Sequence, residues 1–166
     1  LEQSIRDRGA VPATIAVLEG VATAGLSAAE LAHIADPAIE ILKLSRRDLP
    51  FAFSQNLTGA TTVATTMLIA ALAGIRVFAT GGIGGVHRGA DVDFDISADL
   101  PELGRSDVAV ICAGPKAILN IPATLEYLET LGVPVIVYRC DMMPAFWSQS
   151  TDLHVDYRLD TAAEIA

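Results

Sequence analysis

Positive charge is scarce in this chain, and lysine is the scarcest form of it. Eleven lysines and arginines face twenty aspartates and glutamates, for a net charge of −9, and only Lys43 and Lys116 are lysines. An acidic chain is poorly suited to nonspecific binding along a phosphate backbone, which needs clustered cations. It leaves room for a small phosphorylated ligand held by a few local donors. Aromatic residues make up only 5%. No apolar stretch reaches the ~18 uninterrupted residues of a membrane span. The longest apolar region, 63–79, is broken by Thr65, Thr66 and Arg76. No charged-then-apolar leader opens the sequence. The cysteines, Cys112 and Cys140, sit in apolar strand-like runs, and no Cys/His spacing suits zinc. They read as buried, reduced thiols of a cytoplasmic protein.

What the chain does have is small aliphatic bulk. Over 166 residues it is 52% hydrophobic, with a mean hydropathy of +0.46. That size suits one α/β domain spanning 1–166. Short apolar strands are expected at 11–18, 75–79, 107–113 and 133–138. Helices are expected from Ser27, where Ser27-Ala-Ala-Glu30 spells a capping box, at 37–42, at 59–72 and at 116–131. The first nine residues read as the end of a helix, Glu19-Gly20 as a turn, 43–50 as a charged connection, and 140–166 as loop plus one short element. Apolar strands alternating with helices predict a three-layer α/β/α sandwich with a mainly parallel sheet.

Several segments carry candidate chemistry. Gly81, Gly82, Gly84, Gly85 and Gly89 crowd a turn after a strand, where backbone N–H groups could approach an anion. Both the dinucleotide and the P-loop spacings fail, so simple turn geometry stands beside ligand binding. Asp91, Asp93, Asp95 and Asp99 offer oxygen ligands for a hard divalent cation, or a solvated acidic loop. Lys116 follows a strand in the turn Ala113-Gly-Pro-Lys116. Read as the first residue of a helix and partly buried, it would be a nucleophilic amine; otherwise it is a surface lysine. Lys43, Ser45, Arg46 and Arg47 form a basic patch, and His87-Arg88 a second candidate phosphate contact.

In order along the chain, the segments GAVPATIAVLEG, KLSRRDLP, GATTVATTM, FATGGIGGVHRGA, FDISADL, CAGPKAIL, IPATLEYLETLGVPV and YRLDT resemble the pseudouridine-5'-phosphate glycosidase family, which includes the indigoidine synthase A-like proteins. The resemblance implies reversible cleavage of the C–C glycosidic bond of pseudouridine 5'-phosphate to uracil and ribose 5-phosphate. Ordinary protonation of a heteroatom leaving group cannot break that bond. The implied route opens the ribose ring and forms a covalent adduct between the sugar's first carbon and a lysine. The matching lysine is Lys116. Asp95 would be the Mn²⁺ ligand. Ser97, Ala98 and Asp99 would contact substrate, Lys43 would bind near its phosphate, and Val63 would offer a backbone contact. Thr80 and His87 would lie near the site.

The resemblance further implies a homotrimer and a chain nearly twice this long. In such a chain 1–166 is the central part, a proton-donating glutamate precedes Leu1, and a site-lining region follows Ala166. Met142-Met143 departs from the more polar pair usual in the family. Two alternatives share the same residues: another Schiff-base sugar-phosphate lyase, and a sugar-phosphate-binding or accessory protein lacking the general acid.

Overall fold

A computed structural model describes all residues, 1–166, and they divide into two compact units, Leu1–Ile75 and Arg76–Ala166. The protein is α/β. No helix is long and apolar enough to cross a membrane.

The first unit contains α1 (Glu2–Arg6), β1 (Ile15–Leu18), β2 (Val21–Ala24), α2 (Ala28–Ala35), β3 (Leu42–Leu44), a 3₁₀ turn (Arg46–Asp48), α3 (Leu49–Ser54), β4 (Gly59–Thr61) and α4 (Val63–Leu72). Its four strands run in the order β2-β1-β4-β3. The β1–β2 and β1–β4 pairings are antiparallel and β3–β4 is parallel. This sheet is therefore mixed rather than mainly parallel. The reason lies at Glu19-Gly20. Both residues take positive φ, 47° and 76°, as a two-residue hairpin of the right twist requires. Leu18 pairs with Val21, so the chain turns straight back on itself and adds an edge strand that the sequence reading had not expected.

Other boundaries shift for equally local reasons. The Ser27 box forms as expected: Ser27 Oγ accepts from Glu30 N at 3.3 Å, and Glu30 Oε2 accepts from Ser27 N at 2.7 Å. The helix expected at 37–42 does not form. Asp36 precedes a proline, which disfavours the α region, and its Oδ1 accepts from Ala38 N at 2.9 Å to close a turn. Pro50 sits in the first turn of α3 instead of ending a connection, since that turn tolerates a missing N–H. Residues 59–61 leave the expected helix to become β4, because Thr62 caps α4. Val17, Leu44, Leu49, Ala52 and Ile69 form the core.

The second unit contains β5 (Val77–Ala79), α5 (Ala90–Asp93), α6 (Asp99–Leu103), β6 (Ala109–Ile111), α7 (Ile121–Thr130), β7 (Ile136–Tyr138), β8 (Tyr157–Leu159) and α8 (Ala162–Ile165). β5–β6 and β7–β8 are parallel pairs. α7 serves two apolar clusters. Leu128 packs with Val86, Ala90 and Leu100, and Ile121 packs with Val137, Met143 and Ala145. β8 and α8 lie in the region read as loop plus one short element.

Candidate functional site

The turn holding Lys116 is built by a backbone ladder that outlasts its strands. Beyond β5 and β6, Thr80 N donates to Ile111 O at 2.9 Å and Ala113 N to Gly81 O at 2.8 Å. Ile83 N then donates to Gly114 O at 3.1 Å, and Lys116 N to Ile83 O at 3.2 Å. Thr80 and Lys116 are thus parts of one extended pairing. Gly114 can make the turn because its φ is +90° and because a Cβ there would collide with the Pro144 carbonyl.

Two features expected of Lys116 are absent. It is exposed, and it does not open a helix: α7 starts at Ile121, five residues later. The reason is Asn120, whose Oδ1 accepts from Ala123 N at 3.1 Å, with Pro122 in the first turn. The helix dipole therefore does not act on Lys116 as the sequence suggested. Its position is fixed by the backbone instead.

The glycines beside it are required by close packing. A Cβ on Gly82 would lie 2.8 Å from the Phe146 ring, and one on Gly85 would lie 2.5 Å from Thr124 Oγ1. One on Gly84 would strike Ser97 and come within 2.8 Å of Asp99 Oδ2. Several of the loop's N–H groups also have partners. Gly84 N donates to Asp99 Oδ2 at 2.8 Å, Val86 N to Thr124 Oγ1 at 3.0 Å, and His87 N to Asp95 O at 2.9 Å. An open anion cradle at these positions is not what the loop presents. Phe146 and Thr124 are the residues sequence reasoning missed; only the glycine spacing hinted that something bulky approaches.

The loop brings most of the candidate residues together. Ser97 N donates to Gly85 O at 3.0 Å, and Asp99 N to Ser97 Oγ at 3.3 Å. Asp99 is buried, whereas Ala98 beside it is exposed. Asp95 is exposed, and its Oδ2 lies 3.6 Å from His87 Nδ1. Its own N–H donates to Asp93 Oδ1 at 2.9 Å. Nowhere do three His, Cys, Asp or Glu side chains gather to hold a metal. A hard cation of the Mg²⁺ type can be held by one carboxylate with water and substrate oxygens around it. Asp95 fits that mode and not a protein-built cage. Burial pushes the Cys112 thiol above its usual range, only partly offset by the Gly114 N–H it accepts.

A cavity of about 470 Å³ adjoins this turn, with Arg88, Ala117, Asn120, Ser148 and Thr151 among its lining. Lys43 and Val63 belong to the first unit. Lys43 is exposed on β3, and Val63 opens α4. The carbonyl of Leu44 joins the two elements, accepting from Thr62 N and from Thr65 Oγ1, each at 3.0 Å.

Comparison with known proteins sets this geometry in a family. Over all 166 residues the chain is 63% identical to a pseudouridine-5'-phosphate glycosidase of Solibacter usitatus, of which it covers 55%. It is 56% identical to one of Escherichia coli K12, covering 53%. Among solved structures, the prealnumycin C-glycosynthase AlnA in complex with ribulose 5-phosphate matches with a TM-score of 0.90 at 44% identity, over 96% of this chain and 52% of that one. An indigoidine synthase A-like protein of Thermotoga maritima matches with a TM-score of 0.89 at 33% identity, over 99% of this chain and 55% of that one. The chain spans about half the length of these relatives. The family model described as indigoidine synthase A like protein matches residues 1–166, and the chain belongs to that family.

Proposed function

We propose that this chain is part of a pseudouridine-5'-phosphate glycosidase and carries its nucleophile, Lys116. The observation that carries this reading is the placement of Lys116. It is the only lysine of the second unit, exposed and fixed by its backbone beside the loop that joins Ser97 and Asp99. The identity to glycosidases that act on this substrate supports it.

The reaction consumes one water: pseudouridine 5'-phosphate plus water gives uracil plus ribose 5-phosphate. The bond from the sugar's first carbon to the ring oxygen opens, leaving its electron pair and a proton on that oxygen. The Lys116 amine bonds to the same carbon through its lone pair and gives up a proton, the one the ring oxygen receives, so that nitrogen again carries a lone pair. Its lone pair then forms a C=N iminium as the carbon–carbon bond breaks, and the released base takes a proton at its own carbon. Water hydrolyses the iminium, freeing the amine and the sugar phosphate. The proton donor implied by the family resemblance lies outside residues 1–166. It contributes about 10²–10⁴-fold in rate, as such groups do.

Ser97, Ala98 and Asp99 supply substrate contacts. Lys43 meets the phosphate, Val63 offers a backbone contact, and Thr80 and His87 flank the site. Asp95 is the residue that would hold a Mn²⁺ ion, which would supply positive charge for an anionic substrate. The reading also takes residues 1–166 as a single α/β domain of the three-layer class, the central part of a longer chain, supported by three parallel pairings. It also includes a cytoplasmic homotrimer, in line with two free cysteines and many exposed apolar side chains.

The test is mass spectrometry of the natural full-length protein after incubation with pseudouridine 5'-phosphate and Mn²⁺, followed by borohydride reduction. Free uracil and a reduced pentose-phosphate adduct on Lys116 are expected. Uracil release with no adduct on Lys116 would refute the lysine route, and absence of both would refute the glycosidase.

A further inference from the structure

Thr124 is a fully buried polar side chain, 0% exposed on the first turns of α7, and no step of the proposed reaction uses it. Its hydroxyl joins two segments far apart in sequence. It donates to Asn120 O at 2.7 Å and accepts from Val86 N at 3.0 Å. Asn120 N in turn donates to Val86 O at 2.8 Å. Gly85 lies against the same hydroxyl so closely that only glycine fits.

Each bonded partner continues toward the site. Val86 lies in the glycine loop, whose Ile83 carbonyl receives Lys116 N. Asn120 ends the turn whose Lys116 carbonyl receives Leu119 N at 3.0 Å. The loop and the lysine turn are thus pinned at one end by Ile83–Lys116 and at the other by Thr124. Without the hydroxyl, the Val86 N–H would lose its buried acceptor, a costly state for a buried donor. The loop would shift to find another.

We infer that Thr124 is a positioning residue for Lys116: its hydroxyl latches the glycine loop to the lysine turn and so sets where the amine meets the sugar's first carbon. This rests on the proposed role of Lys116 as nucleophile. Thr124 itself touches no substrate. A displacement of about 1 Å in a reacting group can cost on the order of 10²-fold in rate, so the latch acts on the chemical step more than on binding.

The test compares wild type, Thr124→Val and Thr124→Ser in the natural full-length protein, each checked for folding by thermal melting. Ribose 5-phosphate with borohydride is the probe of the amine, and kcat and KM for pseudouridine 5'-phosphate are read beside it. In Thr124→Val the trapping rate at Lys116 and kcat should fall roughly 10–100-fold with KM changed far less. Thr124→Ser should restore both. A folded Thr124→Val that traps like wild type, or a Thr124→Ser as impaired as Thr124→Val, would overturn the inference. Should Thr124→Val not fold, Thr124→Cys takes its place. It keeps the bulk with a weaker acceptor, and wild-type trapping in it counts against the latch.

Amide exchange at Val86, measured without substrate, separates this inference from the reading beneath it. Faster exchange in Thr124→Val and near-normal exchange in Thr124→Ser is the expected result, and unchanged exchange in Thr124→Val removes the latch. If the latch behaves so while wild type forms no adduct on Lys116, the nucleophile assignment falls, and the inferred positioning role falls with it.

Discussion

The two units are held together in different ways. Leu1–Ile75 relies on one continuous four-stranded sheet with an aliphatic core behind it. Arg76–Ala166 has only paired strands, and its loops are set by side chains that reach across: Asp99 to Gly84, Thr124 to Val86, Phe146 against Gly82. Ladder hydrogen bonds and apolar packing fix where elements lie. Individual hydroxyls and carboxylates fix where a loop atom lies, which is the precision chemistry needs. The candidate nucleophile sits in the unit built the second way.

That contrast can be attacked at several strengths. The largest effect is expected for Lys116→Arg, which keeps the charge but cannot form an imine. Turnover and the borohydride adduct should fall at least about 10³-fold, while the melting temperature stays within a degree or two because the side chain is exposed. Wild-type turnover in this variant would remove the chemistry from the second unit. Next comes a stability pair. Met67→Ala empties a fully buried position on α4 and should cost about 2–5 kcal/mol by urea denaturation. Gly84→Ala forces a methyl into Ser97 and Asp99. It should cost about 1–3 kcal/mol and depress activity even where the protein stays folded. If Gly84→Ala spared activity, the side-chain links would be mere packing.

Smaller still is the behaviour of Cys112. Burial raises its pKa, so the thiol keeps its proton where a free cysteine begins to lose one. Iodoacetamide at pH 8 should alkylate it more slowly than a model thiol, as read by peptide mass spectrometry. The linkage has the same sign: the folded state holds this proton more tightly than the unfolded state. Its contribution to stability is full below the unfolded pKa near 9.0 and is lost as pH rises from there through the folded value. The smallest effect belongs to Asp141→Asn. Arg158 bridges Asp141 and Asp160 at 2.9 Å, but the arginine side chain is 42% exposed. Loss of one partner should leave the urea midpoint close to that of wild type, since a solvent-exposed pair is screened by water.

How much of this was written in the sequence depends on the range of the interaction. The Ser27 capping box spans three residues and was legible as it stands. The Glu19-Gly20 turn was legible too, but not β2 after it, because a four-residue edge strand of Val-Ala-Thr-Ala carries no alternation strong enough to announce itself. Lys116 was placed at a helix start because Lys, Ala and Leu favour helix. The Asn120-Ile121-Pro122 start signal lay four residues further on and won. Asp95, Ser97 and Asp99 could be marked as candidates from their types and the family resemblance. That Asp99 is buried beneath the loop, bonded to Gly84, could not. Thr124 was invisible for the plainest reason: its partner Val86 lies 38 residues away, and nothing local distinguishes it from any other threonine on a helix.

The glycines paired with bulky neighbours have a consequence for how such a sequence can change over time. Gly82 and Phe146, and Gly85 and Thr124, each share one small volume. Neither member of a pair is free to drift alone. An alanine at position 82 becomes tolerable only after Phe146 has shrunk, and the reverse order passes through a damaged intermediate. Substitutions around Lys116 are therefore epistatic, and the order in which they arise decides which variants of this loop can be reached at all.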